Sequence, residues 1–197
     1  MGAGFALFNT VIGLCGLAWN GSGLISVQLP EVDAAASRRR FLQRFPDLTE
    51  TPPTGPNAHA VAQICSLIST GKTDLADLPL DMSGQSELYQ RIYQVARTIK
   101  PGATLTYGEI AARLGTPREA RAIGQAMGRN PWPIVVPCHR VLGVGGKLVG
   151  FSAHGGLETK LRLLAIEHAK VGDAPGLFDD QGGLPIGTRP PAPSALC

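Results

Sequence analysis

Residues 130–142 read Asn130-Pro131-Trp132-Pro133-Ile134-Val135-Val136-Pro137-Cys138-His139-Arg140-Val141-Leu142, and the chain is organised around them. The apolar, β-prone run Ile134-Val135-Val136 drives into Pro137. Proline removes a backbone donor and holds the chain extended, so a strand is expected to end there. Cys138 then sits at a strand end with His139 and Arg140 beside it. Cationic neighbours lower a thiol's pKa and raise its thiolate fraction, which makes Cys138 a candidate nucleophile. The same stretch also fits a small buried hydrophobe, the common fate of a free cysteine.

Composition bounds the possibilities on either side of this stretch. The chain has 197 residues, 44% hydrophobic and 17% charged, which is a globular composition with enough length for one or two cores. A net charge of +3 permits a polyanionic partner without demanding one. Cys15, Cys65, Cys138 and Cys197 show no CxxC spacing and no nearby histidine pattern. That argues against a zinc site or a disulfide framework, and unpaired thiols suit a reducing, cytoplasmic compartment. The first nineteen residues carry no charge, but they lack a basic flank and include four glycines with Asn9 and Thr10. A signal peptide, a membrane span and a myristoylation site are each unexpected on those grounds, the last because Ala6 stands where Ser or Thr is required.

Working outward toward the N-terminus, Phe5–Thr10, Leu14–Trp19 and Leu24–Leu29 are short apolar runs broken at Gly13 and at Asn20-Gly21-Ser22-Gly23, a pattern for a small antiparallel sheet. Arg38–Phe45 is a short basic helix ended by Pro46, and its arginines read as a solvated face more readily than as a nucleic-acid contact. Pro52, Pro53 and Pro56 mark a loop. Ala58, Val61, Ile64, Cys65 and Ile68 then recur at helical spacing and close at Gly71, which puts Cys65 in the core. A linker over Lys72–Gly84 follows.

Ser86 caps a helix whose apolar face is Leu88, Ile92, Val95, Ala96 and Ile99, stopped by Pro101-Gly102. Thr106 and Glu109 form a capping box at the start of the next helix, and Thr116 and Glu119 offer a second, with Pro117 at the first helical position. Two short helices joined at Gly115 make a helix-turn-helix pattern with Arg118–Met127 in the recognition position, an arrangement that many proteins without a nucleic-acid partner also use. Ala120, Ala122, Gly124 and Ala126 keep this second helix thin, with Arg121 projecting among them. That suits close approach to a groove, where one long cation can probe the base stack. Arg118, Arg121, Arg129, Arg140 and Lys147 face only one acid, Glu119, over residues 118–147, so salt-sensitive phosphate contacts are expected. Beyond the central stretch, Gly150–Gly156 reads as a flexible loop and Leu157–Ala169 as a helix with Leu157, Leu161, Leu164 and Ala165 inward and Lys160, Arg162 and Glu167 polar. The Gly- and Pro-rich remainder reads as disordered.

Asn130-Pro131 with Pro137-Cys138-His139-Arg140-Val141 resembles the active-site signature of the O6-alkylguanine-DNA alkyltransferases, the methylated-DNA–protein-cysteine methyltransferases. The resemblance covers about residues 83–168 with specific motifs and residues 5–82 in general layout. It implies an α/β protein with a ribonuclease-H-like small sheet domain over 1–82. A mainly helical domain over 83–169 carries a helix-turn-helix that binds the DNA minor groove, and a tail over 170–197 follows. The implied function is DNA repair by direct reversal: an irreversible, single-turnover transfer of a methyl or larger alkyl group from O6-alkylguanine, and in principle O4-alkylthymine, of duplex DNA to Cys138. No cofactor, metal or membrane is implied, and the family acts as a monomer.

By resemblance, His139 is a base linked to Cys138 through water and oriented by Glu167, a residue that sequence alone would place as an exposed helix charge. Asn130 braces the active-site turn. Tyr107 assists base flipping and donates a proton to the departing guanine, where its residue-level alternative is a core aromatic with a satisfied hydroxyl. Arg121 fills the vacated stack, with Ala120, Ala122, Gly124, Arg118 and Arg129 along the DNA. Val141, Phe151, Ser152 and Ala153 line the pocket, the carbonyls of Cys138 and Val141 accepting from the base. Phe151 stands where some members carry tyrosine, and Ala153 with His154 makes the loop bulkier than glycine-rich versions. A lesion sensor that flips the base without reacting is the alternative, and an unrelated Cys-His hydrolase a more distant one.

Overall fold

Short apolar runs interrupted by glycine form one antiparallel sheet of β1 (Gly4–Thr10), β2 (Gly13–Asn20) and β3 (Gly23–Gln28), in that order. In the computed structural model, which describes residues 2–171, Phe5 pairs with Ala18 and Leu17 with Val27 across the ladders. The Asn20 side chain closes the second turn by accepting from the amides of Ser22 and Gly23. The tail expected over 170–197 lies outside the described residues from 172 onward.

Helix α1 (Ala34–Arg44) begins four residues before the expected start, because Asp33 caps it by accepting from the Ala36 amide at 2.6 Å. Helix α2 (Pro56–Thr70) likewise takes in Pro56, expected in a loop; at the first helical position proline's missing donor is no loss. Cys65 is buried in α2 as expected, but it is disulfide-bonded rather than an unpaired thiol. The stretch expected as a linker after Gly71 is tied to the sheet instead. The Leu24 amide donates to Pro79, the Asp81 amide donates back to Leu24, and Leu75 and Leu78 are buried.

The C-terminal part is helical: α3 (Glu87–Arg97), α4 (Tyr107–Arg113), α5 (Ala120–Gly128) and α6 (Leu157–Ile166). Two short strands, β4 (Leu105–Thr106) and β5 (Val141–Leu142), pair in parallel beside α4. Ser86 and the Thr106–Glu109 box cap α3 and α4 as their sequences require. The second box does not form. Helix α5 starts at Ala120, Glu119 makes no side-chain cap, and the Thr116 hydroxyl is buried without a partner among the described residues. Helix α6 ends three residues earlier than expected, at Ile166, and buries Lys160, Leu163 and Leu164 while Leu157 is exposed.

One apolar core runs through both parts, from Leu17 and Leu24 of the sheet through Ile64 and Ile92 to Trp132, Val136 and Leu163. Gly71, left-handed at φ +70°, lies against the end of α6: a Cβ there would sit 1.9 Å from the Ile166 carbonyl oxygen. Gly71→Ala is therefore expected to destabilise by about 2–4 kcal/mol, from the left-handed backbone plus overpacking, read as a lowered midpoint in urea unfolding. No helix among the described residues is long and apolar enough to cross a membrane.

Candidate active site

The stretch 130–137 is a braced turn, not the expected strand. Pro133 bridges Val136, the Val136 amide donates to the Trp132 carbonyl, and Ile134 takes φ +76°. A β-branched residue at positive φ is strained by about 1–3 kcal/mol and persists only where its surroundings hold it. Asn130 supplies the brace, donating through Nδ2 to the Val136 carbonyl at 2.8 Å while its Oδ1 accepts from the Trp132 amide at 2.9 Å. The turn is also fastened to the edge of the N-terminal sheet. The Val27 amide donates to the Pro131 carbonyl, and the Trp132 indole donates to the Leu24 carbonyl at 2.8 Å. Trp132 did not stand out in the sequence; an indole between two prolines was the available signal.

This turn delivers Cys138 to the first position of a one-turn 3-10 helix, Cys138–Arg140. His139 and Arg140 both turn away from the thiol toward Glu167, at the end of α6. Arg140 donates from Nε and Nη2 to the two Glu167 oxygens at 2.8 Å each, and His139 Nε2 lies 2.9 Å from Oε1. All three are buried, with His139 fully so. Burial alone would raise the Glu167 pKa; hydrogen bonds from His139 and Arg140 outweigh it and hold the carboxyl at about 2. An ionised carboxylate only accepts, so Nε2 carries the imidazole proton and Nδ1 is left as a bare lone pair. Nδ1 is buried with no partner among the described residues. Burial also lowers the His139 pKa, and Arg140 already neutralises Glu167, so the imidazole is neutral at physiological pH and able to accept a proton.

The expected activation of the thiol by its sequence neighbours is overturned. Burial raises the Cys138 pKa, because Arg140 is paired with Glu167 and His139 is uncharged. What opposes that rise is the Asn130 side chain, then Lys160, then the amides at the start of the 3-10 turn. Lys160 was read as a polar-face residue. It is fully buried, its ammonium donating to the Val141 carbonyl at 2.6 Å and the Val149 carbonyl at 3.1 Å, with a pKa lowered by burial. Helical periodicity could not single it out, because Lys160 faces carbonyls supplied by a distant loop. Lys160→Met is expected to slow any reaction of the Cys138 thiol by about tenfold or more, measured as the rate of thiol alkylation against pH.

A cleft of about 80 Å³ opens at Cys138. Phe151, Ser152 and Ala153 border it on one side and sheet residues Val27 and Gln28 on the other. The Val141 carbonyl is already bonded to Lys160, which leaves one lone pair free. Tyr107, at the start of α4, is half-buried; burial first and the Cys138 charge second raise its pKa, so the phenol stays protonated. Its ring borders Gly124 of α5. On α5, Arg121 is exposed, Ala120, Ala122 and Gly124 are partly so, and Ile123, Ala126 and Met127 face inward. Arg118 and Arg129 flank the helix, exposed to solvent. Among the described residues, no group of three or more His, Cys, Asp or Glu is placed to hold a metal ion.

Residues 87–169 match the family model described as the 6-O-methylguanine DNA methyltransferase DNA-binding domain. Over 171 residues the chain is 40% identical to the methylated-DNA–protein-cysteine methyltransferase of Mycobacterium leprae, spanning 87% of this chain and 96% of that one. The chain belongs to the methylated-DNA–protein-cysteine methyltransferases. The family's enzyme from Mycobacterium tuberculosis H37Rv is 36% identical over 175 residues, 89% of this chain and 98% of that one. The solved structure of Mycobacterium tuberculosis OGT in complex with DNA superposes with a TM-score of 0.67 at 34% identity, covering 83% of this chain and 92% of that chain. Family membership thus extends through the N-terminal sheet, where the sequence motifs were weakest.

Proposed function

We propose that this protein is a single-turnover DNA repair enzyme that transfers a methyl or other alkyl group from guanine O6 of duplex DNA to Cys138. The observation that carries the reading is the buried His139–Glu167–Arg140 network, which leaves a neutral imidazole with a bare Nδ1 next in the chain to a protonated thiol. Helix α5 enters the minor groove and the damaged base leaves the stack for the cleft, as chemistry on a stacked base requires. Arg121 fills the gap. His139 takes the thiol proton, through water, at Nδ1. The sulfur then attacks the alkyl carbon in line, forming a C–S bond as the C–O bond breaks. The departing guanine takes a proton from Tyr107, and the thioether remains on the protein. The protein acts as a monomer, in the cytoplasm, on O6-alkylguanine.

Lesion loss from a duplex bearing one O6-methylguanine is expected to stop when the amount repaired equals the amount of protein; continued turnover would contradict the reading. Arg121→Ala is expected to weaken lesion binding by about 1–3 kcal/mol in gel shifts, whereas Arg118→Ala weakens binding to all sequences and lowers the salt slope by about one.

A further inference from the structure

The cleft at Cys138 has its two walls on different parts of the chain, and a carboxylate–imidazole contact spans them. Glu31, just after β3, and His154, in the loop before α6, approach to 3.7 Å between Oε2 and Nδ1. Each is mounted firmly on its own side. The Glu31 amide donates to the Ser37 hydroxyl at 2.9 Å, and its carboxylate accepts from Arg40 at 2.6 Å with the side chain 15% exposed. The His154 carbonyl accepts from the Thr159 hydroxyl at 2.6 Å, which fastens the loop to the first turn of α6. Upstream, the same loop supplies Phe151 and Ser152 to the cleft, and a Cβ added at Gly150 would meet open space.

We propose that Glu31 and His154 form a latch that decides how large an alkyl group Cys138 accepts, an inference resting on the alkyl-transfer reading above. With the latch closed, the Phe151–Ala153 wall stands against a cleft that suits a methyl group. A substituent the size of a benzyl group requires that wall to move outward about Gly150, and the latch opposes the movement. Size discrimination of this kind is worth about 10–200-fold in rate, the range that a single pocket contact supplies. Arg40, bonded to the other Glu31 oxygen, holds that carboxylate in place.

The test is single-turnover transfer from duplexes bearing O6-methylguanine or O6-benzylguanine, by the full chain and by Glu31→Gln, His154→Ala and His154→Lys. The readout is the ratio of benzyl to methyl rates. It is expected to rise about tenfold or more in Glu31→Gln and in His154→Ala, and to stay near the parent value in His154→Lys, which keeps a nitrogen donor facing Glu31. His154→Ala leaves the Glu31–Arg40 pair intact, so agreement between the first two variants isolates the latch. An unchanged ratio in both, or a parallel fall of both rates at constant ratio, overturns the inference. Failure of the parent protein to transfer methyl overturns the alkyl-transfer reading itself, and is distinguishable because no ratio then exists.

Discussion

Cys138→Ala is expected to abolish alkyl transfer while the lesion-bearing duplex remains bound, a result to be read by lesion loss and gel shift together. Among the described residues that line the cleft, substitution removes the only sulfur. Cys15 cannot stand in, because it is fully buried under the sheet and burial pushes its thiol up to about 12. Cys138→Ser is expected to be equally inactive. On the proposed mechanism His139 takes a proton from a thiol, and an alcohol, far less acidic, lies beyond the reach of a neutral imidazole. Binding is expected to survive because Arg118 and Arg121, the proposed DNA contacts, are exposed and do not line the cleft.

The second large effect is at Glu167. Glu167→Ala leaves the Arg140 guanidinium, 3% exposed, without its carboxylate. Stranding one partner of a buried ion pair costs about 3–5 kcal/mol, which lowers the midpoint of thermal unfolding by roughly 10 °C in a chain of this length. Glu167→Gln separates chemistry from stability. A glutamine amide can present its donor to His139 Nε2 and so drive the imidazole proton to Nδ1, the wrong tautomer for a base. A comparable tautomer error in a serine-protease triad costs about 10⁴-fold, and a loss of about 10²–10⁴-fold in transfer rate is expected here, with the fold retained by circular dichroism. The acid limb of stability has the same origin. Glu167 is depressed from the ordinary glutamate value of 4.5 to about 2, so its contribution is full above pH 4.5 and is lost as pH falls through 2. The lowered His139 pKa adds a loss that begins as pH falls below the ordinary histidine value. Together they predict stability that declines with acidity across both windows, with about 3 kcal/mol from Glu167, measured by urea unfolding at stepped pH.

Local signals were legible where the physics is local. Short apolar runs broken by glycine gave the three strands to within a residue or two, and Ser86 and the Thr106–Glu109 box gave two helix starts. Asp33 and Pro56 were equally local starts and went unread. The Thr116–Glu119 box has the right spacing but does not form, since Thr116 receives the Glu119 amide through its backbone carbonyl instead. Long-range partners account for the remaining differences. Ile134–Val136 has strand composition, yet Asn130 and the edge of β3 hold it as a turn. Glu167 and Lys160 look like solvated helix charges until their partners, Arg140 and the Val141 carbonyl, arrive from about twenty residues or more upstream. The environment of Cys138 was misjudged for the same reason: sequence adjacency said nothing about where Arg140 points. The resemblance identified Glu167 where periodicity could not.

The central claim is that Cys138 itself receives the alkyl group. The direct measurement is peptide-resolved mass spectrometry after incubating the full chain with a duplex carrying one O6-methylguanine. The expected result is one methyl group on the peptide containing Cys138, in amount equal to the lesion lost. Lesion binding with an unmodified Cys138 peptide would contradict the account and make the protein a sensor of the damaged base.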